Sequence, residues 1–278
     1  MLNSLSRPLG LMHFFINVRS SSIHGIRFGS GNQLLICFHG FGEDAEKFRA
    51  LHSGLSDRYT LIAIDLPFHG NTKWQQDEIF LQEDLKFLIN RILEREQCKR
   101  FSLMGYSLGG KLVLSAILNF ASQLDYIILI APDGVKANAW YNIAVYPEWG
   151  RKLFLRFVEK PQFVFHIARI LRFFGVLSQR FYKFLQMQTN TQAKRRKVYD
   201  SWLTLKDFAV NLEQTKSLLN QYRVKSYVFV GKYDMLITPA TGAKFTEGLL
   251  DSELIVLEKG HNLVTEALNE PLKLALQK

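Results

Sequence analysis

The sequence predicts an α/β fold: a mostly parallel sheet flanked by helices, with a helical segment inserted between two of its strands. Three observations lead there. Short apolar runs rich in β-branched residues alternate with longer stretches of helical period, as βαβ units require. Several of those runs have no polar face, the mark of strands buried on both sides. The alternation stops between Val135 and Leu205, where no strand can be read and the charge changes sharply.

In chain order, Met12–Val18 is the first predicted strand, and Gln33–Phe38 (QLLICF) the first nearly all-apolar one. Thr60–Ile64, Phe101–Met104, Tyr126–Ile130, Ser226–Val230 and Glu253–Leu257 read in the same way. Helices are expected at Ala45–Leu55, Glu78–Arg95, Leu108–Phe120, Phe208–Tyr222 and Leu263–Leu276. In the second of these, Leu81, Leu85, Leu88, Ile92 and their neighbours form one apolar stripe. Within 135–205 the pattern is of short helices. Pro161 suits a helix start, Phe163, Ile167, Ile170 and Phe174 share a face, and Thr191 is placed to cap a helix bearing Val198, Trp202 and Leu205. The expected organisation is a core of 1–134 and 206–278, split by an inserted helical segment of 135–205.

Composition narrows the class. Hydrophobic residues make up 47% and charged residues 22%, the balance of a globular and not a disordered chain. No run of eighteen apolar residues appears, so no spanning helix is expected. The apolar patch near the N-terminus is broken by Pro8, Gly10 and His13 and lacks a cleavage site before Arg19, so a strand is expected there and not a signal peptide, and with it cytoplasmic placement. Cys37 lies in an apolar run and Cys98 after a charged helix. Their spacing makes no metal or redox motif.

The chemistry is concentrated at Gly105-Tyr106-Ser107-Leu108-Gly109, between a strand and a helix. A strand-to-helix turn this sharp strains the serine and crowds the positions two before and two after it, and both are glycine. A serine hydroxyl needs a base, and His261 follows the last strand. The base needs an orienting acid, and Asp234 follows Ser226–Val230, giving the order Ser, Asp, His. Strand ends converge at the carboxyl edge of a parallel sheet. Asp133 is a competing acid at another strand end, disfavoured because Pro132-Asp133-Gly134 is a turn signal by itself. Asp65, before the serine, and His39, before a glycine turn, are expected to be structural. The oxyanion donors are expected at the Phe41 and Leu108 backbone N–H groups.

His39-Gly40-Phe41-Gly42, Asp65-Leu66-Pro67-x-His69-Gly70, Gly105-Tyr106-Ser107-Leu108-Gly109-Gly110, Gly231-x-x-Asp234 and Gly260-His261 together resemble the ordered motifs of the α/β-hydrolase superfamily. The resemblance implies an eight-stranded, mostly parallel sheet and a helical cap at 135–205 over the site; the chemistry of serine, histidine and aspartate by itself needs no metal or organic cofactor. Ser107 sets the chain apart from the dehalogenase and epoxide hydrolase branches, which carry Asp at the elbow. The elbow and the Asp65–Gly70 turn are also similar to menaquinone-pathway enzymes that eliminate pyruvate, which usually carry Arg where this chain has Lys111.

The expected activity is therefore hydrolysis of a carboxylic ester or thioester. A C–C hydrolase or pyruvate-eliminating lyase on the same site is the alternative enzyme, and a ligand receptor on this fold is the alternative outside enzymes. Partners are read from charge. Residues 135–205 carry 13 Lys/Arg against 3 Asp/Glu, whereas the rest of the chain balances. The segment is also rich in aromatics, from Trp140 and Tyr141 through Trp149, Phe173 and Phe174 to Trp202. An anionic or lipid-like acyl substrate and a peripheral contact with an anionic membrane are the two functional expectations, beside an ordinary amphipathic lid. Lys194-Arg195-Arg196-Lys197 alone does not make a nucleic-acid site.

Overall fold

The computed structural model describes residues 10–136, 139–175 and 179–277. Part of the N-terminal patch (1–9) and the side chains of Trp140, Phe181 and Phe184 lie outside what is described. Eight strands form one sheet: β1 (Met12–Val18), β2 (Ser21–Phe28), β3 (Gln33–Phe38), β4 (Tyr59–Ile64), β5 (Phe101–Tyr106), β6 (Leu124–Ile130), β7 (Lys225–Gly231) and β8 (Ser252–Leu257). Their spatial order is β1-β2-β4-β3-β5-β6-β7-β8. The β1–β2 and β2–β4 pairs are antiparallel and all the others parallel. This is the predicted α/β class with eight strands and a mostly parallel sheet. Strands β4 and β5 are buried throughout and β3 from Leu34 on, so both faces of the central sheet need helices.

Strand β2 is the one the sequence hid. Its polar residues are buried beside partners distant in the chain: His24 against Asp65, and Arg27 against Glu96. The helices are α1 (His52–Leu55), entered through a 3₁₀ turn over Ala45–Leu51, α2 (Gln82–Glu96), α3 (Leu108–Phe120), and α4 to α8 in the inserted segment. After that segment come α9 (Leu212–Gln221), α10 (Pro239–Thr246) and α11 (Asn269–Leu276). Helix α2 starts four residues later than its apolar stripe suggests. Leu81 stays extended, and its N–H donates to the Asp84 carboxylate at 2.8 Å, which fixes the first turn there. Helix α10 is an addition to the expected elements, although Pro239 in its first turn is a start signal.

The chain divides into two compact units. One comprises the described residues up to Gln75, Leu81–Lys136 and those from Phe208 on, and it holds the whole sheet. The other comprises Gln76–Phe80 with the described residues of 137–207. It contains α4 (Ala139–Val145), α5 (Glu148–Glu159), α6 (Gln162–Phe173), α7 (Gln179–Thr189) and α8 (Gln192–Thr204). Gln76–Phe80 is tied in by the Phe80 N–H, which donates to the Thr204 carbonyl at 2.9 Å. Thr191 caps α8, its hydroxyl accepting from the Lys194 N–H. A small aromatic core joins Phe154 to Trp202 and Tyr141 to Trp202, with ring centroids 5.5 and 5.2 Å apart. Arg195 is buried inside this unit, where it donates to the Val158 and Thr189 carbonyls.

Candidate active site

The site belongs to the sheet-bearing unit and is built from three strand ends. Strand β5 runs straight into α3 through Ser107, whose φ of 49° and ψ of −114° are a strained conformation for any residue with a side chain. The neighbours make the turn affordable. A Cβ on Gly105 would lie 2.6 Å from the Gly109 carbonyl oxygen, and one on Gly109 would collide with the Phe38 carbonyl. Gly110 packs as closely on Pro132. The strained serine is held from both sides: its N–H donates to the Ile130 carbonyl, and its carbonyl accepts from the Asp133 N–H, each at 2.9 Å.

The fold brings Ser107, His261 and Asp234 together across 154 and 27 residues of sequence. His261 Nε2 lies 3.1 Å from Ser107 Oγ, and His261 Nδ1 lies 2.7 Å from Asp234 Oδ2. A carboxylate only accepts, so Nδ1 carries the proton and the Nε2 lone pair faces the hydroxyl. Asp234 is buried, and its other oxygen accepts from the Leu236 and Ile237 N–H groups at 2.8 and 3.0 Å. Those two amides had no signal in the sequence beyond the turn after β7. Gly231 lets this turn meet the histidine loop, since a Cβ there would strike the Gly260 carbonyl; the Tyr233 N–H also donates to Lys259.

Asp133, the competing acid, does not turn toward His261. Its carboxylate accepts the Gly134 N–H at 2.8 Å, and its charge acts on Lys111. Lys111 is buried in α3. Burial pushes its pKa down, and Asp133 acts in the opposite direction.

The oxyanion candidates flank the serine. Leu108 is the first residue of α3, so its N–H has no acceptor within the helix. The His39–Gly42 loop follows β3, and Gly40 approaches Ser107 so closely that a Cβ on it would lie 3.3 Å from the serine Cβ. This puts Phe41 in the loop beside the nucleophile position.

Two histidines brace that loop. His39 donates from Nδ1 to the Gly40 carbonyl and accepts the Leu66 N–H on Nε2. His69 donates to the Pro67 carbonyl and accepts the Gly42 N–H in the same manner. Asp65 is structural as expected: it accepts from the Ala45 and Asn71 N–H groups and from His24. Sequence reading missed His69 and Tyr106 as supports. The Tyr106 hydroxyl donates to the His261 carbonyl at 3.1 Å, and burial, with the Glu43 and Asp234 charges, holds the phenol neutral by raising its pKa. Cys37 is a free, buried thiol whose pKa burial raises far above the ordinary range, so it is inert. Among the described residues, no three His, Cys, Asp or Glu side chains are grouped to hold a metal ion.

A family model described as alpha/beta hydrolase fold matches residues 33–267. The chain belongs to the α/β-hydrolase fold family. It is 36% identical over 104 residues to the uncharacterized hydrolase YugF of Bacillus subtilis, a match covering 37% of this chain and 38% of that protein. It is 31% identical over 103 residues to the pimeloyl-(acyl-carrier protein) methyl ester esterase of Cronobacter sakazakii, covering 37% and 38%. The chain thus spans under two fifths of the length of these curated relatives. A thermophilic esterase from Thermogutta terrifontis superposes with a TM-score of 0.68 at 17% identity, over 96% of this chain and 97% of that one. At that identity the likeness is one of fold. Among the described residues, no helix of this α/β-hydrolase is long and apolar enough to cross a membrane.

Proposed function

We propose that this α/β-hydrolase cleaves a carboxylic ester or thioester through an acyl-enzyme formed on Ser107. The observation that carries the reading is the hydrogen-bonded line from Asp234 through His261 to a serine on a strained turn. In the first step Ser107 Oγ attacks the acyl carbon while His261 Nε2 takes its proton. Asp234, held by two amides, keeps the histidine in the accepting tautomer and stabilises the imidazolium. The Leu108 and Phe41 N–H groups donate to the carbonyl oxygen and stabilise the negative charge that develops on it. The protonated histidine then returns its proton to the departing alcohol or thiol. Water repeats the sequence on the acyl-enzyme and frees the acid. The methyl ester esterase activity named for the Cronobacter relative is of this reaction class.

The test pairs labelling by a fluorophosphonate probe with turnover of short- and long-chain p-nitrophenyl esters. The wild type is expected to label and to turn over, and Ser107→Ala to lose both, with kcat down by at least about ten-thousandfold. Equal labelling of the two proteins would remove Ser107 as nucleophile. Labelling without ester turnover would move the reading to the C–C hydrolase or pyruvate-eliminating lyase on the same residues.

A further inference from the structure

Helix α6 is built the wrong way round for a water-facing helix. Its apolar stripe, Phe163–Ile167–Ile170–Phe174 continued past the last turn, is the face that normally seeks a core. Past the half-buried Phe163 it points outward. Ile167 is 52% exposed, Ile170 44%, Phe173 84% and Phe174 71%, whereas Ala168 is the buried residue of the helix. The two terminal phenylalanines pack edge to face at 5.4 Å and form an exposed apolar tip.

The charge of the segment that carries this tip indicates what covers it, even with Arg195 buried and Arg196 paired with Asp200. From Lys160 to Tyr199 the chain holds nine Lys/Arg and no Asp or Glu. Arg169 on α6 is exposed, and Arg172 near its end is spent on the Gln179 side-chain carbonyl and the Tyr182 ring, not on an acid. A second copy of the chain would bring the same cations against these, which disfavours self-association on this face. An anionic bilayer satisfies both parts: phenylalanines enter the headgroup boundary and arginines pair with the lipid phosphates.

We infer that the exposed α6 face, with Phe173 and Phe174 as its wedge, docks this protein on an anionic phospholipid surface. The insertion is shallow and reversible, and it does not depend on the chemistry proposed for Ser107.

The experiment is co-sedimentation of the full chain with phosphatidylglycerol–phosphatidylcholine vesicles and with phosphatidylcholine vesicles alone. Binding is expected to the first and not to the second, and to fall as salt is raised. The double variant Phe173→Ser/Phe174→Ser alters only exposed side chains, so its thermal unfolding should match the wild type while vesicle binding falls more than about tenfold. Arg169→Gln should weaken binding about fivefold. Ser107→Ala should bind as the wild type does, which separates this inference from the proposed reaction. No binding of the wild type to anionic vesicles would overturn it. Binding that survives loss of both phenylalanines, or a dimer in solution that the double variant abolishes, would do the same.

Discussion

Asp234 and Asp133 both follow a strand of the parallel sheet, and local sequence hardly separates them. Geometry does. Asp234 presents one oxygen to His261 at 2.7 Å and has the other fixed by two backbone amides, so it cannot swing away. The Asp133 carboxylate closes its own turn onto Gly134, and the residue serves the elbow through its backbone, with its N–H on the Ser107 carbonyl. Asp234→Asn leaves the shape intact but offers an amide to His261 and upsets its tautomer. It is expected to lower kcat for an activated ester by roughly ten-thousandfold. Asp133→Asn keeps an oxygen for the Gly134 N–H and should stay within about tenfold of wild type. Steady-state kinetics of both variants decides between them, and the opposite ranking would reassign the acid. What sequence offers at this scale is residue type and order. The Gly105–Gly109 spacing is legible because sterics leave no other residue that fits, whereas the amides of Leu236 and Ile237 are invisible until the turn is folded.

Strand β2 shows why one element was illegible while its neighbours were not. Strands β3 to β6 announce themselves because burial on both faces demands uninterrupted apolar runs. In β2 the buried positions include Ser21, His24 and Arg27, tolerated only because other elements supply partners. Arg27 Nε lies 3.2 Å from both Glu96 oxygens, joining β2 to the end of α2, and both side chains are almost wholly enclosed. Glu96→Ala strands a buried guanidinium and should destabilise the fold by about 3 kcal/mol or more. Arg27→Met/Glu96→Leu removes both charges and should recover most of that loss. Urea unfolding of the single and double variants measures it; a double variant less stable than Glu96→Ala would show that the pair stabilises the sheet by more than mutual neutralisation. Helix α6 is illegible for a different reason. Its period gives the helix and its stripe, but period does not say whether a stripe faces a core or the outside.

For the whole molecule, the net charge of +10 is not spread out. All of it falls within 135–205, and the remaining residues carry 22 basic and 22 acidic side chains. That segregation can be read from sequence before any folding, because counting charge needs no coordinates. Its consequence is a long-range field, since an excess of this size draws anions toward the protein and repels cations until salt screens it. A substrate with a free carboxylate or phosphate should therefore be captured faster than a neutral one of equal shape. We expect kcat/KM for an anionic p-nitrophenyl ester to fall at least about threefold between low and physiological ionic strength. The neutral isostere should change little over the same range, because its approach feels no net force. The comparison needs both esters: a general effect of salt on the fold would lower the two together, whereas steering lowers only the charged one. If the charged ester is hydrolysed equally fast across the salt series, the excess charge has no part in substrate capture.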